Sequence, residues 1–152
     1  MRLLVCAIGR ARKDPARALF EQYSRRLGWP LELKEFEERR KLPREQLRAR
    51  ECAMLLAAVP ADAAVVALDE SGQALSSRAL AARIGRWRDD GRGCIAFLVG
   101  GANGLDDAVC ARADLVLSFG KATWPHMLAR AMLAEQLYRA QQILAGHPYH
   151  RD

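Results

Sequence analysis

Apolar residues come in runs along this chain, and the runs alternate between the period of a strand and that of a helix. Residues 1–8 form a mostly apolar run closed by Gly9, as in a buried strand. Asp14 before Pro15 fits an N-cap followed by proline at the first helical position, and ARALFEQYSRRL continues as a helix that Gly28 ends. LELKEFE alternates apolar and polar residues, the signature of a half-buried strand. A helix is expected after Pro43, to about Val59, and AAVVALD reads as a fully buried strand. Ser76 and Ser77 cap a helix reaching about Arg88. CIAFLVGG is another buried strand, GLDDAVCARA a short helical stretch and DLVLSFG a last strand. The longest helix runs from about Pro125 to Ala145.

Strands alternating with helices predict an α/β fold with a mainly parallel sheet. The buried strands lack polar alternation, as expected when helices cover both faces. No Gly/Ser-rich linker divides the chain, so residues 1–152 read as a single domain. The last helix is apolar on more than one side. Ala129, Leu133, Leu137, Ala140 and Leu144 line one; Met127, Ala131, Ala134 and Tyr138 lie on or near the other. A helix apolar on two sides is buried on two sides, and the second predicts a homodimer built on this helix. Glu135 in its midst needs a partner, and Arg139 lies one turn on.

Composition narrows the class. The chain is 51% hydrophobic and 28% charged, an ordinary globular balance. MRLLVCAIG is followed by RARKD rather than by a small-residue cleavage site, so it reads as a strand and not a signal peptide. No apolar run approaches the ~20 residues that span a bilayer. A cytoplasmic protein with no membrane association is expected. Cys6, Cys52, Cys94 and Cys110 are far apart, with no histidine at ligand spacing, which argues against a metal site or a disulfide framework. The net charge is +6, concentrated in Arg10, Arg12, Lys13, Arg17, Arg25, Arg26 and ERRKLPREQLRAR. Such a surface suits a nucleic acid; interleaved glutamates leave open a merely solvated helix surface.

Ligands of open parallel sheets bind beyond the carboxyl ends of the strands. Three strands run there into LDESGQALSS, FLVGGANGL and LSFGKATWPH, loops rich in Gly, Ser, Thr or Asn. Gly100, Gly101 and Gly104 are spaced G-G-x-x-G, which is not the dinucleotide-binding pattern; a tight turn explains them equally well. There is no Walker lysine motif and no G-x-S-x-G. The chain ends in GHPYHRD, which gathers His147, Tyr149, His150 and Arg151.

The three loops, the run LSFGKATWPHMLARAMLAEQLYRA and the closing GHPYHR occur in an order that resembles the ribosomal large subunit methyltransferase H family of the SPOUT class. The resemblance covers essentially the whole chain and is densest from Leu68 to Arg151. It implies a deep trefoil knot, with a cofactor-binding region over about residues 68–145. It implies S-adenosyl-L-methionine as cofactor. It implies methylation of N3 of a pseudouridine in helix 69 of 23S rRNA, a hairpin at the subunit interface of the ribosome. Carried over by motif, Leu68 borders the adenine end and Gly100 and Gly101 let the backbone face the cofactor. Phe119, Gly120, Lys121, Ala122, Thr123 and Trp124 form the third wall. Ala122 and Trp124 depart from the family pattern, which bears on the fine shape of that wall.

The acceptor is an imide nitrogen that must lose a proton. The titratable candidates are His126, His147, Tyr149 and His150. The catalytic assignment goes to Tyr149, His150 and Arg151, on the expectation that the tail folds over the cofactor cleft; it names no unique base. N-terminal arginines would hold the RNA backbone. The competing classes are a non-catalytic RNA-binding protein with the same fold and, more remotely, an NAD-dependent oxidoreductase.

Overall fold

The computed structural model describes residues 1–151; Asp152, the end of the expected domain, lies outside them. Five strands, β1 (Arg2–Ile8), β2 (Leu31–Phe36), β3 (Ala64–Gln73), β4 (Cys94–Val99) and β5 (Leu115–Leu117), form one sheet in the order β2-β1-β4-β3-β5. Every pairing is parallel, with Leu3 opposite both Leu31 and Ile95. The helices are α1 (Pro15–Arg26), α2 (Arg44–Ala57), α3 (Ser77–Asp89), α4 (Asp107–Arg112) and α5 (His126–Leu144).

Local chemistry sets several boundaries. The Asp14 carboxylate accepts the Ala16 N–H at 2.8 Å with Pro15 at the first helical position, and Ser76 Oγ accepts the Ala79 N–H at 3.1 Å. At the end of α5, Gly146 takes φ +68° and donates to Ile143, while the His147 N–H reaches the Gln142 carbonyl. This paired closure turns the chain back along the helix, and glycine adopts it without steric penalty. β3 outruns the expected strand: Ser71–Gln73 rejoin the sheet beyond a register shift, with Gln73 beside Leu117.

The period-2 alternation of each strand divides the core into two layers. Leu3, Val5 and Ala7 of β1, with Ile95 and Phe97 of β4, face α1, α3 and α5 through Phe20, Trp87, Leu133 and Leu137. Leu4, Cys6 and Ile8, with Ala96 and Leu98, face α2 and α4 through Cys52, Leu55 and Val109. Three cysteines are buried in that second layer or at its edge, Cys110 is half-buried, and all four are free thiols. Burial pushes the Cys6 and Cys52 thiols up to about 11, so they act as small hydrophobes rather than nucleophiles.

α5 lies between α1 and α3, and both of its apolar sides are covered within the one protomer. Ala131, Leu133, Ala134, Leu137, Tyr138 and Ala140 are buried there. The remaining strip, Leu128, Met132, Glu135, Gln136 and Arg139, is half-buried.

Candidate functional site

The sheet order places β3 between β4 and β5, so the loops leaving these three strands emerge side by side. Around them lies a cavity of about 780 Å³. Leu68 and Asp69–Ser71 line it from β3, Val99–Leu105 from the end of β4, and Phe119, Gly120 and Ala122–His126 from the segment after β5. Of the residues assigned to cofactor binding from the sequence, Leu68, Gly100, Gly101, Phe119, Gly120, Ala122, Thr123 and Trp124 all line it. Lys121 is exposed and does not.

The glycines are there because the space is. A Cβ on Gly100 would sit 2.9 Å from the Gly104 carbonyl carbon, and one on Gly101 would sit 2.9 Å from Ile8 Cγ2. The Gly104 N–H donates to the Gly101 carbonyl at 3.0 Å, closing a tight turn. The third loop is pinned by its own side chains. Ser118 Oγ donates to the Gly120 carbonyl at 2.9 Å and accepts the Gly120 N–H at 3.1 Å, and Trp124 Nε1 donates to the Phe119 carbonyl at 3.2 Å. Asp69 Oδ1 is engaged by the Ser71 N–H and hydroxyl at 2.9 and 2.6 Å.

One wall comes from α2. Arg44 and Arg48, one turn apart, line the cavity, and Cys52 Sγ accepts the Asp106 N–H at 3.3 Å from the loop beyond the glycines. Glu51, on the same side of α2, is 8% exposed; its Oε2 makes no hydrogen bond among the described residues and lies 3.6 Å from where a Gly101 Cβ would be. Burial, reinforced by Glu38, pushes its carboxyl above the usual range.

His126 opens α5 at the cavity edge. Burial, then the adjacent Arg130 guanidinium, push its imidazole below the usual value, against a smaller opposing pull from Asp14. The ring is therefore neutral at neutral pH. Arg130 is 2% exposed. Its guanidinium pairs with Glu35 Oε1 at 2.9 Å and donates to the Gly9 carbonyl at 2.9 Å and to that of Ile8. The same Glu35 oxygen accepts the Ala11 N–H at 2.9 Å. One buried ion pair thus ties α5 to the carboxyl ends of β1 and β2.

The tail folds back, but not onto this cavity. Tyr149 packs edge-on against Tyr138 with ring centroids 4.8 Å apart, and the Arg26 guanidinium lies 4.2 Å from the Tyr138 ring. His150 Nδ1 lies 3.2 Å from Arg139 Nη1, and Arg151 is exposed. Glu135 accepts from Tyr149, Gln136 and Arg139, and with Gln136 lines a second cavity of about 440 Å³ behind Phe119 and Gly120. No residue from His147 to Arg151 lines either cavity. Arg130 and Glu51 carry no assignment from the sequence, whereas Arg44 and Arg48 belong to the basic run ERRKLPREQLRAR expected to meet RNA, without a place at the cavity. The spacing of 44, 48 and 51 on one side of a helix is the signal that joins Glu51 to the two arginines.

A family model described as a predicted SPOUT methyltransferase matches residues 1–150. A protein of Rhodospirillum centenum named "Ribosomal RNA large subunit methyltransferase H" is 62% identical over 151 residues, 99% of each chain. Proteins with the same name from Rhodospirillum rubrum and Paracoccus denitrificans are 52% and 48% identical, covering 100% of each chain. Among solved structures, the SpoU methyltransferase AviRb of Streptomyces viridochromogenes, crystallised with the cofactor AdoMet, aligns at TM-score 0.48 and 16% identity, over 93% of this chain and 58% of that one. Among the described residues no helix is long and apolar enough to cross a membrane, and no cluster of three His, Cys, Asp or Glu side chains could hold a metal ion.

Proposed function

The chain belongs to the SPOUT methyltransferase family, as a full-length relative of ribosomal RNA large subunit methyltransferase H, and from that premise we propose how its cavity works. The protein is an S-adenosylmethionine-dependent methyltransferase of ribosomal RNA. The acceptor we propose is N3 of a pseudouridine in helix 69 of 23S rRNA, within the assembled ribosome in the cytoplasm. The observation that carries the site is the cavity walled by glycine backbone at the carboxyl ends of β3, β4 and β5. Side chains at Gly100 and Gly101 would meet backbone or core there, so main-chain groups are left to face a ligand. The trefoil knot is proposed over about residues 68–145.

S-adenosylmethionine supplies an already activated methyl group, and positioning the acceptor supplies much of the rate. Leu68 and Phe119 offer apolar walls to the adenosine. Gly100, Gly101 and Gly120 offer backbone, and Ala122, Thr123 and Trp124 close the rim, with Lys121 just outside it. The imide proton needs an acceptor. His126, neutral and on the cavity edge, is the ring in this protomer suited to that task. Tyr149, His150 and Arg151 are proposed to contact the acceptor base. Because the tail docks on α1 and α5 of its own protomer, that role needs a second copy, joined through the half-buried strip of α5 around Leu128 and Met132, to bring a tail to the cavity.

The test has two parts. Calorimetry should show S-adenosylmethionine binding; no binding would favour a non-catalytic RNA-binding protein. Mass spectrometry of ribosomal RNA from a deletion strain should show one missing methyl group, restored by the wild-type gene. An unchanged methylation pattern would remove this reading.

A further inference from the structure

Among the described residues, Arg44 and Arg48 are the only lysine or arginine side chains on the wall of the large cavity. Among the described residues, Arg17 is held by Glu21, Arg40 and Arg50 by Glu38, Arg130 by Glu35 and Arg139 by Glu135. Arg44 is exposed and makes no hydrogen bond or ion pair among the described residues. Arg48 holds only Glu45, itself largely exposed, at 2.9 Å. An exposed pair of this kind contributes little and exchanges readily for a stronger anion. Asp69 and Glu70 of β3 also line the cavity. The cationic side chains of the lining therefore come from α2 and the carboxylates from β3, and an anion would settle on α2.

Two oxyanions could meet these guanidiniums: a phosphate of the acceptor RNA or the carboxylate of the cofactor. Their position favours the phosphate. α2 follows β2 and starts at the carboxyl edge of the sheet, the edge from which the loop bearing Arg10, Arg12 and Lys13 leaves β1. The exposed Lys41 lies three residues before the helix, while Arg39 and Arg40 beside it pair with Glu37 and Glu38. Arg44 thus continues a basic edge that runs into the cavity, as a strand threading toward the methyl donor requires.

We propose that Arg44 and Arg48 form an anion subsite that grips a backbone phosphate beside the target nucleotide and so sets the acceptor base in the cavity. This rests on the RNA methyltransferase reading above.

The experiment uses the full chain with Arg44→Gln, Arg48→Gln and the double variant, and with Arg86→Gln, an exposed α3 arginine, as control. S-adenosylmethionine affinity is measured by calorimetry, and methylation of ribosomes from a deletion strain is measured across a salt series. The expected result is unchanged cofactor affinity and a KM for ribosomes raised about tenfold or more in the double variant. The logarithmic salt dependence should flatten by between about 1 and 2. Arg44→Lys should recover part of the loss, because a phosphate accepts a point charge. Unchanged KM and salt slope overturn the proposal. Weakened cofactor binding with an unchanged slope overturns it too, and gives the pair to the cofactor carboxylate. Wild-type protein that neither binds S-adenosylmethionine nor methylates ribosomes overturns the underlying function first, a failure seen before any variant is compared.

Discussion

The Tyr149 hydroxyl donates to Glu135 Oε1 at 3.2 Å, latching the end of the chain to the middle of α5. The latch also fixes what Tyr149 can do. Burial first, then its Tyr23 and Glu135 neighbours, push its phenol up to about 12, so the group is a hydrogen-bond donor and not a base at neutral pH. Tyr149→Phe should lower methylation at least tenfold while cofactor affinity and melting temperature stay nearly constant, and hydrogen exchange of the 147–151 amides should quicken. Full activity in this variant and in His150→Ala would take the tail out of the reaction.

Arg130→Met should be among the most damaging single changes. It leaves Glu35 without its buried partner and frees the Ile8 and Gly9 carbonyls. Breaking one side of a buried pair costs about 3–5 kcal/mol. Urea denaturation should show a loss of that size, and the double variant with Glu35→Gln should lose less than the sum of the two single losses.

Gly100→Ala tests the cavity wall. The added methyl would lie 2.9–3.0 Å from Gly104 backbone, which cannot rotate away as a side chain could. Loop displacement should abolish measurable S-adenosylmethionine binding by calorimetry while the fold, read by circular dichroism, persists. Gly93→Ala, where nothing lies within 4 Å, is the matched control and should bind normally.

His126 sets an expected pH profile. Its imidazole is held below the usual value by burial and Arg130, with Asp14 opposing. With the folded value depressed, its contribution to stability is full above about pH 6.5 and is lost as pH falls through the folded value. If it takes the imide proton, the acid limb of kcat lies below that of an ordinary histidine, and His126→Asn removes the limb. A limb unchanged in that variant reassigns the base.

Glu51 shifts the opposite way, chiefly because it is buried. With the folded value raised, its contribution is complete below about pH 4.3 and is lost as pH rises through the folded value. The stability of Glu51→Gln relative to wild type should therefore increase with pH across that window, measured by denaturant midpoints at a series of pH values. A difference that stays constant with pH would show that the carboxylate titrates normally.

What the sequence determined alone is local. Asp14 and Ser76 start their helices through hydrogen bonds reaching two or three residues, Gly146 closes α5 in the same range, and alternating apolar positions mark each strand's faces. The three glycine- and serine-rich loops were legible as candidate ligand loops because their composition is itself local, and they line one cavity. Only the tertiary structure decided the order β2-β1-β4-β3-β5, which sets those loops side by side. It brought Arg44 and Arg48 to their cavity and joined Arg130 to Glu35, 95 residues away. It also packed both apolar sides of α5 against α1 and α3, left the strip around Leu128 and Met132 half-buried, and laid the tail on Tyr138 of its own protomer. Periodicity records which side of an element is apolar. Which partner fills that side is settled by packing between residues far apart in the chain, and no spacing along the sequence carries it.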